Sequence, residues 1–285
     1  MALVLDGSSG TTGNLANGDL QVNGVTVGKG GGTISNNTAI GSGVLQANSS
    51  GGSCVGVGYQ ALYNATSGAH AAVGQQALYS NTSGTYSVAV GYQAGYSNTT
   101  GGNNTALGAS ALYSNTTASQ NTAVGYQAAY SNTTGTDIIA IGYIAGYTNT
   151  TANSLLAVGN AALYANTTGT ANTAIGNGLS GSSYAALRYN TTGSYNTATG
   201  VGALANNTTA SNNTAVGYQA GYSVTTGYGE TYIGYRAGYS TTTGEFNTAI
   251  GYAALKDNST GFYNAAVGSY ALTASTGSFN TALGM

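Results

Sequence analysis

Charge is what this 285-residue chain has least of: four Lys or Arg and six Asp or Glu, 4% of its residues, with a net charge of −2. That balance leaves no basic footprint for nucleic acid and no polybasic segment for an anionic membrane. Long apolar runs are missing too, and no stretch approaches the ~20 residues of a membrane-spanning helix. The single cysteine, Cys54, excludes an intrachain disulfide, so cysteine usage is silent about redox compartment. Proline is absent while glycine reaches 47. Such a glycine load suits a disordered linker, but here the apolar residues are strictly phased, and a disordered chain has no need of phase. The opening Met1-Ala-Leu-Val-Leu-Asp-Gly lacks a basic region, a long apolar run and a cleavage site, so no secretory signal is expected. A surface this poor in charge lacks the usual protection against association. It suits a large locked assembly better than a free monomer.

What the chain does have is a clock. A glycine preceded by an apolar residue recurs at Gly41, Gly58, Gly74, Gly91, Gly108, Gly125, Gly142, Gly159, Gly176, Gly200, Gly217, Gly234, Gly251, Gly268 and Gly284. Neighbours are 17 residues apart except for two intervals of 16 and one of 24. Each glycine sits in a sentence close to Asn-Thr-Ala-Val-Gly-Tyr-Gln-Ala-Leu-Tyr-Ser-Asn-Thr-Thr-Gly. A fixed period this short means a solenoid, whose coils stack because none buries its apolar side alone. The expected fold is therefore all-β: a parallel β-solenoid of about 15 coils of 17 residues.

Counting each anchoring glycine as position 0, position −1 holds Ile40, Val57, Val73, Val90, Leu107, Val124, Ile141, Val158, Ile175, Val216, Ile233, Ile250, Val267 and Leu283, with Thr199 the polar exception. Positions −4 to −1 are expected to form a short strand whose −1 side chains enter the coil as an aliphatic core ladder. Position −2, nearly always Ala, then faces the other way, where a small residue either avoids crowding or admits an identical neighbour. The glycine itself makes a corner. Position +5 carries Tyr63, Tyr79, Tyr96, Tyr113, Tyr130, Tyr147, Tyr164, Tyr222 and Tyr239, which coils stacked ~4.8 Å apart convert into a Tyr ladder. Asn at +7 should form a second ladder, and Ser-Asn-Thr-Thr-Gly a return turn.

Three features interrupt the clock. Residues 1–33 are off-pattern, with short strand-like runs at Leu3-Val-Leu5 and Leu20 to Val27; this segment is expected to cap the rod 34–285 or to attach it. The interval of 24 contains seven extra residues, 177–183, expected to bulge as a surface loop beside Arg188. The last strand sentence, ending at Met285, carries no cap of its own, so its edge is expected to recruit another chain.

Chemistry is sparse. Cys54 and His70 share position −4 in successive coils, where a nucleophile–base pair or two metal ligands could stand, but no acidic residue joins them in either flanking coil. The carboxylates are scattered, Lys29-Gly-Gly-Gly32 lacks the context of a phosphate loop, and repeated Asp for calcium is missing. No catalytic, metal or cofactor site is expected. Asn-x-Ser/Thr sequons such as Asn98 and Asn115 are by-products of the turn. Tyr92, Tyr126, Tyr143, Tyr218 and Tyr235 at +1, with Gln at +2 in several coils, and Arg188 by the insertion, are the candidate residues for contacting a surface glycan.

The Asn-Thr-Ala-Val-Gly sentence, as at Asn121 to Gly125 and Asn213 to Gly217, resembles the Asn-Ser-Val-Ala-Ile-Gly repeat of trimeric autotransporter adhesin heads. The resemblance spans about residues 36–285, though the coil here is longer by its Tyr-Ser-Asn-Thr-Thr element. It implies a homotrimer of β-rolls that adheres to surfaces. The opening Met-Ala-Leu-Val-Leu-Asp-Gly and Val22-Asn-Gly-Val-Thr-Val-Gly28, followed by these repeats, look like tail-fibre-type proteins of marine and cyanobacterial viruses. The implied function is a non-enzymatic fibre or spike subunit on a virion surface. Its partners would be its own copies, a larger virion or fibre protein at the termini and a host surface glycan. The alternative is an extracellular filament polymerising end to end through the solenoid edges. An ice-binding solenoid is a third reading, disfavoured because the Thr-Thr pairs fall in the turn rather than on a flat face.

Overall fold

The computed structural model describes residues 20–22, 25–30, 34, 36–178 and 184–285. The strand-like run at Leu3-Val-Leu5 and most of the insertion, residues 179–183, lie outside them. Two short strands, β1 (Leu20–Val22) and β2 (Val25–Gly28), form an antiparallel hairpin, and β2 runs antiparallel to β3 (Thr38–Ile40). From β3 onward every pairing is parallel and sequential, ending at β17 (Thr281–Leu283). The described chain is all-β, a parallel β-solenoid of about 14 turns of roughly 17 residues. The register is that of the clock: Thr105, Ala106 and Leu107 pair with Thr122, Ala123 and Val124. Across the insertion Thr173 still pairs with Thr197, and Leu163 N donates to Ala186 O, so the described coils keep their register on both sides of it.

Most strands are only three residues long because the anchoring glycine ends them. Gly125 has φ +134°, and a Cβ there would be driven into the carbonyl of Gly142 in the next coil. Only glycine meets both demands, an unusual backbone angle and backbone-to-backbone contact. The remainder of the coil is a run of turns with residues in the left-handed region at +2, +4 and +12, such as Gln127 (φ 52°), Ala129 (49°) and Asp137 (58°). Each costs an L-residue about 1 kcal/mol or more. Hydrogen bonds between coils offset that cost: Ala129 N donates to Ala145 O at 2.9 Å, Ser131 N to Tyr147 O at 3.0 Å and Thr133 N to Thr150 O at 2.9 Å.

The side-chain parity is the reverse of the expected one. Ala at −2 lines the interior, with Ala89, Ala123, Ala140, Ala174, Ala215 and Ala249 fully buried. The −1 residues point outward. Ile40, Val73, Val90, Ile141, Ile175, Val216, Ile233 and Ile250 are 37–42% exposed, and Leu283 is 86% exposed. Val57, Leu107, Val124, Val158 and Val267 are half-buried on the same outer face. None of the fourteen is a core residue, and the interior ladder is built from other positions. Ala sits at +3 (Ala61, Ala111, Ala128), and Leu at +4 (Leu62, Leu78, Leu112, Leu163, Leu204, Leu255) is fully buried or nearly so.

The reason lies two residues before Ala. Asn at −4 shares its face and belongs inside, where it closes the coil. Asn104 Nδ2 donates to Ala118 O at 2.8 Å, while its Oδ1 accepts Asn121 N at 3.0 Å. Asn121 repeats the pattern with Gly135 O and Ile138 N. Buried turn carbonyls need such partners. With Asn inside, Ala follows it inside, and Thr at −3 and Val or Ile at −1 are left outside.

Candidate interaction surfaces

Three surfaces lie along the solenoid, each built from columns that the repeat makes. The first is the Tyr ladder at +5. Tyr63, Tyr79, Tyr96, Tyr113, Tyr130, Tyr147 and Tyr164 stack in an unbroken series with ring centroids 5.1–5.3 Å apart. Tyr222 and Tyr239 continue it farther on, at 5.3 Å. Burial, and behind it the neighbouring phenols, raises the pKa of Tyr113 and Tyr147. Arg188 takes a Tyr position and extends the stack, its guanidinium carbon 5.1 Å from the Tyr164 ring centre and 5.6 Å from that of Tyr189. Arg188 thus belongs to the ladder rather than to a separate knob.

The second surface holds the +1 tyrosines, and it is discontinuous. Tyr126 stacks on Tyr143 at 5.4 Å, and Tyr218, Tyr235 and Tyr252 form a triplet at 5.3 and 4.9 Å. Tyr92 stands between Gln75 and Ala109 in its column, 50% exposed. Stacking occupies ring faces, so the paired rings present mainly edges and hydroxyls to solvent. The glutamines beside them link coil to coil: Gln76 Nε2 donates to Gln60 Oε1 at 3.1 Å, and Gln93 Nε2 to Gln76 Oε1 at 3.0 Å.

The third surface is the outer face of the parallel sheet. Its −1 column is aliphatic in all but one coil, and its −3 column is mostly Thr with some aliphatics, of which Val55, Val88 and Ile139 are 39–43% exposed. Sequence reasoning reached these residues but placed the −1 column indoors. Among the described residues nothing covers this face.

Interior polar groups form ladders of their own. Asn98, Asn115, Asn132, Asn149 and Asn166 each donate to the preceding Asn Oδ1 at 2.8–3.2 Å. His70 stands at one end of this ladder, its Nε2 2.8 Å from Asn81 Nδ2 and its Nδ1 accepting Ser87 N at 3.3 Å. Burial lowers the pKa of His70. Cys54 Sγ donates to Gly68 O at 3.0 Å, and burial raises its pKa. Both residues act as stand-ins for Asn in the −4 column. No group of three or more His, Cys, Asp or Glu side chains able to hold a metal occurs among the described residues.

One interior site departs from the repeat. Tyr232 replaces Ala at −2 and is fully buried, and Gly221 and Gly238 replace the larger +4 residues around it, where a Cβ would strike its ring. Glu230 takes the Asn position at −4, 1% exposed, accepting Asn247 N at 2.9 Å and Asn247 Nδ2 at 3.1 Å. Burial pushes the Glu230 carboxyl up to about 7 and the Tyr232 phenol far above its usual range. The Tyr232 hydroxyl lies beside Glu230, Thr241 and Asn247. Sequence reading missed this pair because its signal is a coupled exchange, large for small at −2 and small for large at +4.

No protein-family model, curated protein or solved structure matches the chain. Function therefore rests on the three surfaces. No helix of the described residues is long and apolar enough to cross a membrane.

Proposed function

We propose that this chain is a structural subunit of a surface-contacting fibre, a tail-fibre or spike type of protein, which assembles with its own copies through the outer face of its parallel sheet. The observation that carries the reading is the unpartnered aliphatic column on that face. Fifteen strands at ~4.8 Å spacing give a rod ~70 Å long, and three residues of strand give a face ~10 Å wide, about 700 Å². The aliphatic −1 column makes up about half of it, ~350 Å², within the roughly 300–600 Å² of the largest apolar patches on monomers, which are often functional. Surface charge that would oppose association is nearly missing. Three copies, as the adhesin-head resemblance implies, would bury the three faces against one another and leave both tyrosine columns outside. The tyrosines and the polar turn would then meet the host surface, with no chemical step required of the chain.

Electron microscopy of the purified protein tests this. Discrete rods of fixed length, with at least the ~70 Å of the solenoid, are expected. Indefinitely growing filaments would instead support end-to-end polymerisation through the sheet edges.

One observation favours a second reading. Thr105, Thr122, Thr173, Thr197, Thr214, Thr231 and Thr248 line the −3 column of the outer sheet face, half-buried beside the aliphatic column. A regular Thr column on a sheet face is one feature an ice-binding solenoid would have, although here it is single, and the Thr-Thr pairs such as Thr99-Thr100 stay in the turn. A thermal hysteresis measurement decides: a freezing-point gap supports ice binding, and its absence removes that reading.

A further inference from the structure

The chain has only four basic residues, and two of them lie in adjacent coils beside the same tyrosine. Arg236 occupies the +2 column, in the place of Gln. Its Nε donates to Gln219 Oε1 at 2.9 Å, which fixes the guanidinium. The guanidinium carbon lies 5.3 Å from the Tyr235 ring centre and 5.2 Å from that of Tyr239, so it bridges the two tyrosine columns. No carboxylate pairs with it among the described residues. In the next coil Lys256 takes the +5 tyrosine position, 35% exposed, with Asp257 3.6 Å away. Tyr252 stacks on Tyr235 at 4.9 Å and meets Tyr270 at 5.2 Å with the rings tilted by 59°. The Tyr252 phenol lies beside that of Tyr270 and feels the charge of both Arg236 and Lys256. Between Arg236 and Tyr270 the +2 column carries Ala253, so no long side chain separates them.

We propose that Arg236, Lys256, Tyr252 and Tyr270 form a binding site for an anionic saccharide, a sugar polymer bearing carboxylate or sulfate groups. An oriented guanidinium and a nearby ammonium supply charge-assisted donors to an acidic group. The phenol hydroxyls beside them, on rings 47% and 55% exposed, meet the sugar's hydroxyls. Stacking geometry favours a sugar over a nucleic acid: single-stranded bases bind on open aromatic faces, whereas Tyr235 and Tyr252 cover each other. Elsewhere on the +1 and +5 columns the same phenols lack such cations, apart from Arg188, whose Nε is buried without a partner. The proposal rests on the fibre reading only for the ligand's origin on a host surface. Binding is read on the isolated full chain, so its failure leaves the assembly reading untouched.

The test measures binding of the full-length protein to immobilised alginate, dextran sulfate and neutral dextran, with a single-stranded RNA arm. The wild type is expected to bind at least one of the two acidic polymers and not neutral dextran, the acidic polymer bound identifying the group as carboxylate or sulfate. Arg236→Gln restores the glutamine found in coils nearby, and Lys256→Tyr restores the tyrosine column, so both preserve the ladder chemistry. Each should weaken binding by about tenfold or more, the equivalent of ~1.4 kcal/mol, while Lys29→Gln, which removes the same charge elsewhere, leaves it within about twofold on the same scale. If Arg236→Gln fails to fold, Lys256→Tyr reads the same site. No binding to either acidic polymer, equal binding to neutral dextran, tighter binding to RNA, or an equal loss in Lys29→Gln would each overturn the proposal.

Discussion

Glu230→Gln should make the rod indifferent to a pH change that the wild type feels. The buried carboxyl is raised from an ordinary 4.5 to about 7, chiefly by desolvation, against partial relief from Tyr232 and Asn247. A carboxyl whose folded pKa is raised favours folding while it is neutral. Its contribution is fully present below 4.5 and is lost as pH rises through about 7. At ~1.36 kcal/mol per decade the full loss is roughly 3 kcal/mol. Gln keeps an oxygen to accept Asn247 N and removes the titration. The assay is urea unfolding of both proteins at pH 4 and pH 8, conditions that bracket the window. Comparing the two cancels every other titrating group, including His70, whose lowered pKa acts in the opposite sense. The wild type should lose about 3 kcal/mol more than the variant between the two pH values. Equal losses would refute the reasoning and mean that Glu230 is solvated like an ordinary surface carboxylate.

Other perturbations test other columns. Asn132→Ala removes the donor to Asn115 Oδ1 and to Gly135 O and the acceptor for Asn149 Nδ2; with ~1–3 kcal/mol per orphaned buried group, a loss of about 2–4 kcal/mol in urea unfolding is expected, and a neutral result would show the ladder to be dispensable. Gly125→Ala adds a Cβ against the Gly142 carbonyl at φ +134°, and strain of ~1–3 kcal/mol from the angle alone plus the clash should drop the thermal midpoint sharply; an unchanged midpoint would deny the coil contact. Tyr232→Ala leaves a cavity and should cost about 3–5 kcal/mol, while adding Gly238→Leu, which restores the common residue at +4, should recover much of it. Strict additivity of the two changes would break the proposed coupling.

The periodic parts of the fold were legible because a strict repeat forces equivalent residues into columns whatever the details of the coil. Gly125 and its counterparts, the Tyr63-to-Tyr164 ladder and the Asn ladder are visible in the spacing alone. Parity was not. A three-residue strand offers two faces, and hydrophobicity by itself sends Val124 inward and Asn121 to solvent. What decides it is hydrogen-bond closure: Asn121 Nδ2 reaches Gly135 O across the coil, a contact fourteen residues apart that no alternation rule contains. Left-handed backbone at Leu62 or Gln127 was likewise hidden, since a non-glycine residue at positive φ leaves no compositional trace. The Arg236–Lys256 cluster escaped notice because the two cations sit twenty residues apart and meet only when +2 and +5 of adjacent coils are brought together.

The most direct test of the whole account is the sedimentation mass of the wild type beside a variant carrying Val124→Asp and Ile141→Asp, both on the outer sheet face. The wild type should sediment at about three times the 27.9 kDa of one chain, and the variant as a folded 27.9 kDa monomer with its β-sheet signal intact. A wild type that sediments as a single chain, or a variant that stays assembled or unfolds, would contradict the account.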